Sequence, residues 1–204
     1  ASAGPGQAST TTVSTRTHEA KRRQRGNSTV TGRWRVADQS ADLPKHAEIE
    51  ALNPACMLTF LHSADWQIGK PYARVQDPDK RARLRQARIE AIGRISALIP
   101  LCKPSFLVVA GDLFDSPTPT SSDVSAVCQA IGKLQIPVLA IPGNHDHGAP
   151  GSVWYSAFFL AEQQRRAPNL MVLLERQVLE LDTAVVLPCP LLRRSDTSDP
   201  TAWV

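Results

Sequence analysis

The chain of 204 residues is 42% hydrophobic and 21% charged, a balance that suits one soluble globular domain with room for a tail and excludes a wholly disordered or fibrous class. No apolar run reaches the roughly 18 residues of a membrane span, and no continuous apolar segment near Ala1 reads as a secretory signal, so a cytoplasmic protein with no membrane partner is expected. The formal net charge of +4 is unevenly placed: eight Lys/Arg stand against five Asp/Glu up to Ala55, and fifteen against fourteen beyond it.

Residues 1–55 are rich in Ser, Thr, Gly and Arg and show no sustained period, so they are expected to form a disordered basic tail ahead of a folded part over 56–204. Within the tail, Lys21, Arg22, Arg23 and Arg25 make a short basic cluster. A solvated tail explains it, with nucleic-acid contact as the alternative.

The apolar run 57–61 predicts a first strand, closed by Ser63, Ala64, Asp65, Trp66 and Gln67. His62 is expected to be a packed, hydrogen-bonded core or edge histidine. A loop over 70–78 leads to a helix over 79–99, in which Leu84, Ala87, Ala91, Ile92, Ile95, Leu98 and Ile99 recur at helical spacing. Its arginines read as a solvated face, while Lys70 and Arg74 just before it could meet phosphate.

A second strand over 105–110 ends at Gly111, Asp112, Leu113, Phe114 and Asp115. A helix over 123–134 follows, capped by Ser121 or Ser122, with Val124, Val127, Cys128 and Ile131 facing inward. A third strand over 136–141 ends at Pro142, Gly143, Asn144, His145 and Asp146. A helix over 152–166, with Val153, Trp154, Ala157, Phe158, Leu160 and Ala161 on its apolar side, precedes strands over 169–174, 177–181 and 184–187. Cys56, Cys102, Cys128 and Cys189 form no C-x-x-C pair, and three of them lie among apolar residues as buried free thiols do.

Short continuous apolar runs alternating with helices indicate an α/β fold with parallel strands buried on both faces. Parallel strands carry their carboxyl ends to one edge, where open α/β sheets bind ligands. Asp65, Asp112 and Asn144 should therefore converge there. Carboxylate, amide and imidazole donors in that position suit a hard or borderline divalent ion, and Mn²⁺ fits the mixture better than a thiolate-seeking metal.

The three turns in this order, D-x-H/Q, G-D-x-x-D and G-N-H-D, resemble those of the calcineurin-like metallophosphoesterases, and the wording LHSADWQIGK, AGDLFD and IPGNHD is most similar to the SbcD-like DNA repair exonucleases. The resemblance covers residue 57 onward. It implies a layered sandwich of β-sheets flanked by helices, and two divalent ions that clamp a phosphodiester and activate a bound water. By the same resemblance Asp112 bridges both ions, Asp65 and Gln67 serve the first, and Asn144 serves the second. His145 assists phosphate binding and protonates the leaving group, and Asp115 holds its tautomer. Asp146 and His147 close the Gly143 turn, with substrate contact as a second role for His147. DNA is the implied substrate and an SbcC-type coiled-coil ATPase the implied partner of the intact protein.

Two departures stand out. Gln67 occupies a position where most of the family carries His, which keeps a neutral oxygen donor but loses the nitrogen. No histidine follows His147, whereas the family draws further ligands from a later His and a G-H-x-H turn. The sequence is therefore expected to be the N-terminal part of the domain, incomplete at its C-terminus and possessing too few ligands to act alone. Hydrolysis of nucleotides or other small phosphoesters, and non-catalytic nucleic-acid binding, remain the alternatives to DNA cleavage.

Overall fold

The protein is described by a computed structural model that covers residues 35–36, 58–182 and 184–204. Strand β1 is Arg35–Val36 and β2 is Leu61–Ser63; helix α1 is Pro78–Ile95 and the short α2 is Ile99–Cys102. Then come β3 (Leu107–Ala110), α3 (Ser121–Gly132), β4 (Val138–Ile141), a 3₁₀ turn at Val153–Tyr155, α4 (Ala157–Arg166), β5 (Leu170–Val172), β6 (Leu179–Leu181) and β7 (Ala184–Val186). Two residues of the stretch expected to be a tail thus form β1; the rest of that expectation lies outside the described residues.

The α/β expectation holds. Strands β2, β3, β4 and β5 form a parallel sheet in that order, and β1, β6 and β7 an antiparallel one. Side chains alternate along each strand, and both faces of the parallel sheet are covered. Leu107, Val109, Val138, Ala140 and Leu170 face the core shared with the helices, which also takes in Ile92, Val127, Ile131 and Phe159. Phe106 and Leu139 turn the other way, toward Leu179 of the second sheet. The layers are helices, parallel sheet and antiparallel sheet.

Several boundaries differ from the sequence expectation for identifiable reasons. The first strand lies at Leu61–Ser63 instead of 57–61, and His62 in it is exposed, on the edge of the sheet. Helix α1 starts where Asp77 accepts hydrogen bonds from the backbone N–H groups of Asp79 and Lys80, with Pro78 at its first position. It ends at Ile95, and Pro100, which cannot continue a hydrogen-bonded helix, lies in the separate helix α2. Ala87, Ala91 and Leu98 are exposed, and Ile92 is the residue α1 buries fully.

Helix α3 begins earlier than expected because Thr120, not Ser121 or Ser122, caps it in a reciprocal pair with Asp123. Its inward residues are as expected. The helix expected over 152–166 is interrupted at Ser156, whose extended backbone and hydroxyl cap the Phe159 N–H and restart the helix. The restart turns Phe159 and Glu162 inward and leaves Phe158, Leu160 and Ala161 exposed. Among the cysteines, Cys128 is buried, and burial pushes its thiol up to about 11. Cys102 is exposed and Cys189 half-buried, so of the three described cysteines one is a buried free thiol where three of the four were expected to be; Cys56 lies outside the described residues.

Candidate metal centre

The parallel order of β2, β3 and β4 brings their C-terminal turns side by side. The turn after β2 then zips onto the turn after β3. Asp65 N–H donates to Gly111 O (3.2 Å), Gln67 N–H to Asp112 O (2.8 Å) and Ile68 N–H to Leu113 O (3.0 Å), while Asp115 N–H returns to Ile68 O (2.9 Å). This ladder fixes the register of Asp65 and Gln67 against Asp112 and Asp115.

Asp65, Gln67 and Asp112 all have left-handed backbones, with φ of 56°, 43° and 54°. Non-glycine residues adopt this region sparingly, and such strain gathers at functional sites. The sequence motif gave no sign of it.

The turn after β4 presses against Asp112. Its Oδ1 accepts the His145 N–H at 2.9 Å. A Cβ on Gly143 would overlap both that oxygen and the Asp112 backbone nitrogen, so this position demands glycine. Asp146 fastens the turn from below: it is fully buried, and its two carboxylate oxygens accept from Gly143 N–H (2.7 Å) and Phe114 N–H (3.0 Å). Burial raises its carboxyl above the usual range, opposed by those hydrogen bonds. The Trp154 indole donates to its carbonyl oxygen. Asp146 does close the Gly143 turn, and it also joins that turn to the one after β3.

His145 Nδ1 lies 3.2 Å from the backbone carbonyl oxygen of Asp115 and 3.7 Å from its Oδ1. The sequence assigned tautomer control to the Asp115 carboxylate. The nearer acceptor is the carbonyl of the same residue, which leaves Nε2 available to a substrate. Asp115 Oδ1 is buried without a hydrogen-bond partner, and Lys70 Nζ stands 3.7 Å from it. That ammonium donates to Gln67 Oε1 at 2.5 Å. His147 is half-buried with its Nδ1 unpartnered, and Asn144 is exposed at the tip of its turn. Arg74 is exposed on the loop before α1, and no contact joins it to the other candidates.

The arginines of α1 do something the sequence did not reveal. Arg88 donates to Trp66 O (2.8 Å) and Asp65 O (3.3 Å), bonds the Tyr72 hydroxyl and sits over its ring. Arg85 bonds the carbonyls of Lys70 and Pro71, and Arg81 that of Val75. Three side chains expected on a solvated face therefore tether the loop that carries Asp65, Gln67 and Lys70. Contacts 14 to 23 residues apart in sequence leave no periodic trace.

The donor set is oxygen-rich and suits a hard divalent ion: the Asp112 carboxylate, 6% exposed, with Asn144 and Asp65 on turns at the same sheet edge, and an orphaned Asp115 oxygen beside Lys70 and His145. Gln67 fits less directly, its oxygen being engaged by Lys70. Among the described residues no three His, Cys, Asp or Glu side chains gather to hold an ion by themselves.

The sequence matches a family model for calcineurin-like phosphoesterase over residues 58–187, more than half of the chain. Among solved structures, one crystal structure aligns over 56% of this chain at 15% identity and a TM-score of 0.36; the aligned part spans 45% of that structure's length.

Proposed function

Since the chain belongs to the calcineurin-like phosphoesterase family, we propose that it serves metal-dependent phosphodiester hydrolysis on DNA, in the manner of SbcD-like repair exonucleases, with Mn²⁺ as the working ion. The observation that carries this reading is the junction of three strand-end turns on Asp112, whose carboxylate is fixed by the His145 N–H and by close contact with Gly143.

Asp112, Asn144 and Asp65, with Gln67, would hold two divalent ions, which polarise the phosphoryl group and lower the pKa of an attacking water. His145, anchored through Nδ1 to the Asp115 carbonyl, presents Nε2 to protonate the departing oxygen. Lys70 and Arg74 supply positive charge to the phosphates. His147 contacts substrate at the rim. An SbcC-type coiled-coil ATPase would be the partner of the intact protein, in the cytoplasm. Among the described residues no helix is long and apolar enough to cross a membrane.

A comparison of linear duplex DNA, nucleotides and bis-nitrophenyl phosphate under Mn²⁺, with Asp112→Ala as control, tests the reading. Cleavage of DNA that the Asp112 variant loses supports it. Hydrolysis confined to the small esters replaces DNA by nucleotides or related compounds, and salt-dependent DNA binding with no hydrolysis makes the chain a binding module.

A further inference from the structure

We infer that Lys70 is a gate on the first ion position: its ammonium and a divalent ion compete for the Gln67 carbonyl oxygen. This rests on the metal-dependent reading above and adds to it a control of ion loading. Lys70 Nζ donates to Gln67 Oε1 at 2.5 Å, a short charge-assisted bond. Gln67 is the side chain that departs from the family's His, and its left-handed backbone and Gln67 N–H bond to Asp112 O fix the backbone from which that side chain springs.

The amide oxygen has two lone pairs, so what sets the two cations against each other is charge: an ion on Gln67 Oε1 would stand a few ångströms from the ammonium on the same oxygen. Lys70, three residues on and tethered by Arg85 through its own carbonyl, is held in that place. The released ammonium has an acceptor within reach in Asp115 Oδ1, 3.7 Å away and without a hydrogen-bond partner. Ion entry would thus move one positive charge from Gln67 toward the acid beside His145, coupling ion loading to the residues around the leaving-group histidine.

The test is Mn²⁺ binding itself, followed by electron paramagnetic resonance of the free ion, on the full chain and on Lys70→Met, Gln67→Ala and the double variant. Removing a like charge a few ångströms from the ion should tighten binding by about tenfold or more in Lys70→Met. The gain should shrink when Gln67 is also removed, because the ammonium is then no longer held against the ion's own ligand. An unchanged or weaker affinity in Lys70→Met, or an equal gain without Gln67, overturns the gate while leaving the metal centre standing. No Mn²⁺ binding by any of the four proteins overturns both.

Discussion

Asp65 and Asp112 each lie two residues past a parallel strand, and both have left-handed backbones, yet their surroundings are opposite. Asp112 is buried, receives a backbone N–H, and is wedged against a glycine that admits no other residue. Asp65 is exposed, and its turn depends on a hydrogen bond received from a helix arginine and on N–H groups it donates to the neighbouring turn. One half of the site is set by close packing and a buried carboxylate lock; the other is tethered by long arginine side chains, half-buried at Arg81 and Arg88 and exposed at Arg85. Close-packed groups tolerate little change, whereas tethered ones shift with modest cost, so the two halves should respond differently to substitution.

The largest effect is expected from Gly143→Ala. The added methyl must displace Asp112 or the turn, at about 1–3 kcal/mol of overpacking, and a shift near 1 Å at that carboxylate should lower turnover about a hundredfold. Urea unfolding and Mn²⁺-dependent hydrolysis measure both losses; a variant near wild type in each would mean the packed half is not rigid.

Arg88→Ala probes the tethered half. Losing a brace around the ligands typically costs 10–100-fold in metal affinity, and a drop toward the lower end, about tenfold, is expected here, with unfolding changed by only about 1 kcal/mol. Equal losses of stability and affinity would erase the contrast between the halves.

The smallest effect should come from a site remote from both. Glu162 on α4 is buried and bonded by Arg165, with Arg166 Nε 2.7 Å from its other oxygen. The Arg165 hydrogen bond, helped by Ser125, holds its carboxyl down at about 2. A folded-state value below the ordinary 4.5 means the pair stabilises the fold above that pH and loses its contribution as the pH falls toward 2. Glu162→Gln should flatten that part of the acid-unfolding curve and leave hydrolysis unchanged.

The packed half was the more legible in sequence. Continuous apolar runs before Gly111 and Pro142 announced buried parallel strands, and parallel strands alone imply that Asp112 and Asn144 share an edge. Periodicity served α3 but misled on α4: Phe158 and Leu160 fit an apolar stripe, but the Ser156 cap restarted the helix and turned Phe159 and Glu162 inward. The tethers of Arg85 and Arg88, and the second hydrogen bond of Asp146 to Phe114, join residues distant in the chain, and a local pattern cannot encode them.

The most direct test of the central claim is anomalous diffraction from crystals of the full chain grown with Mn²⁺. An anomalous peak is expected about 2.0–2.6 Å from the Asp112 carboxylate, the range for oxygen-bound divalent ions, with Asn144 or Asp65 as a further ligand. Saturating Mn²⁺ that leaves Asp112 without such a peak would contradict it.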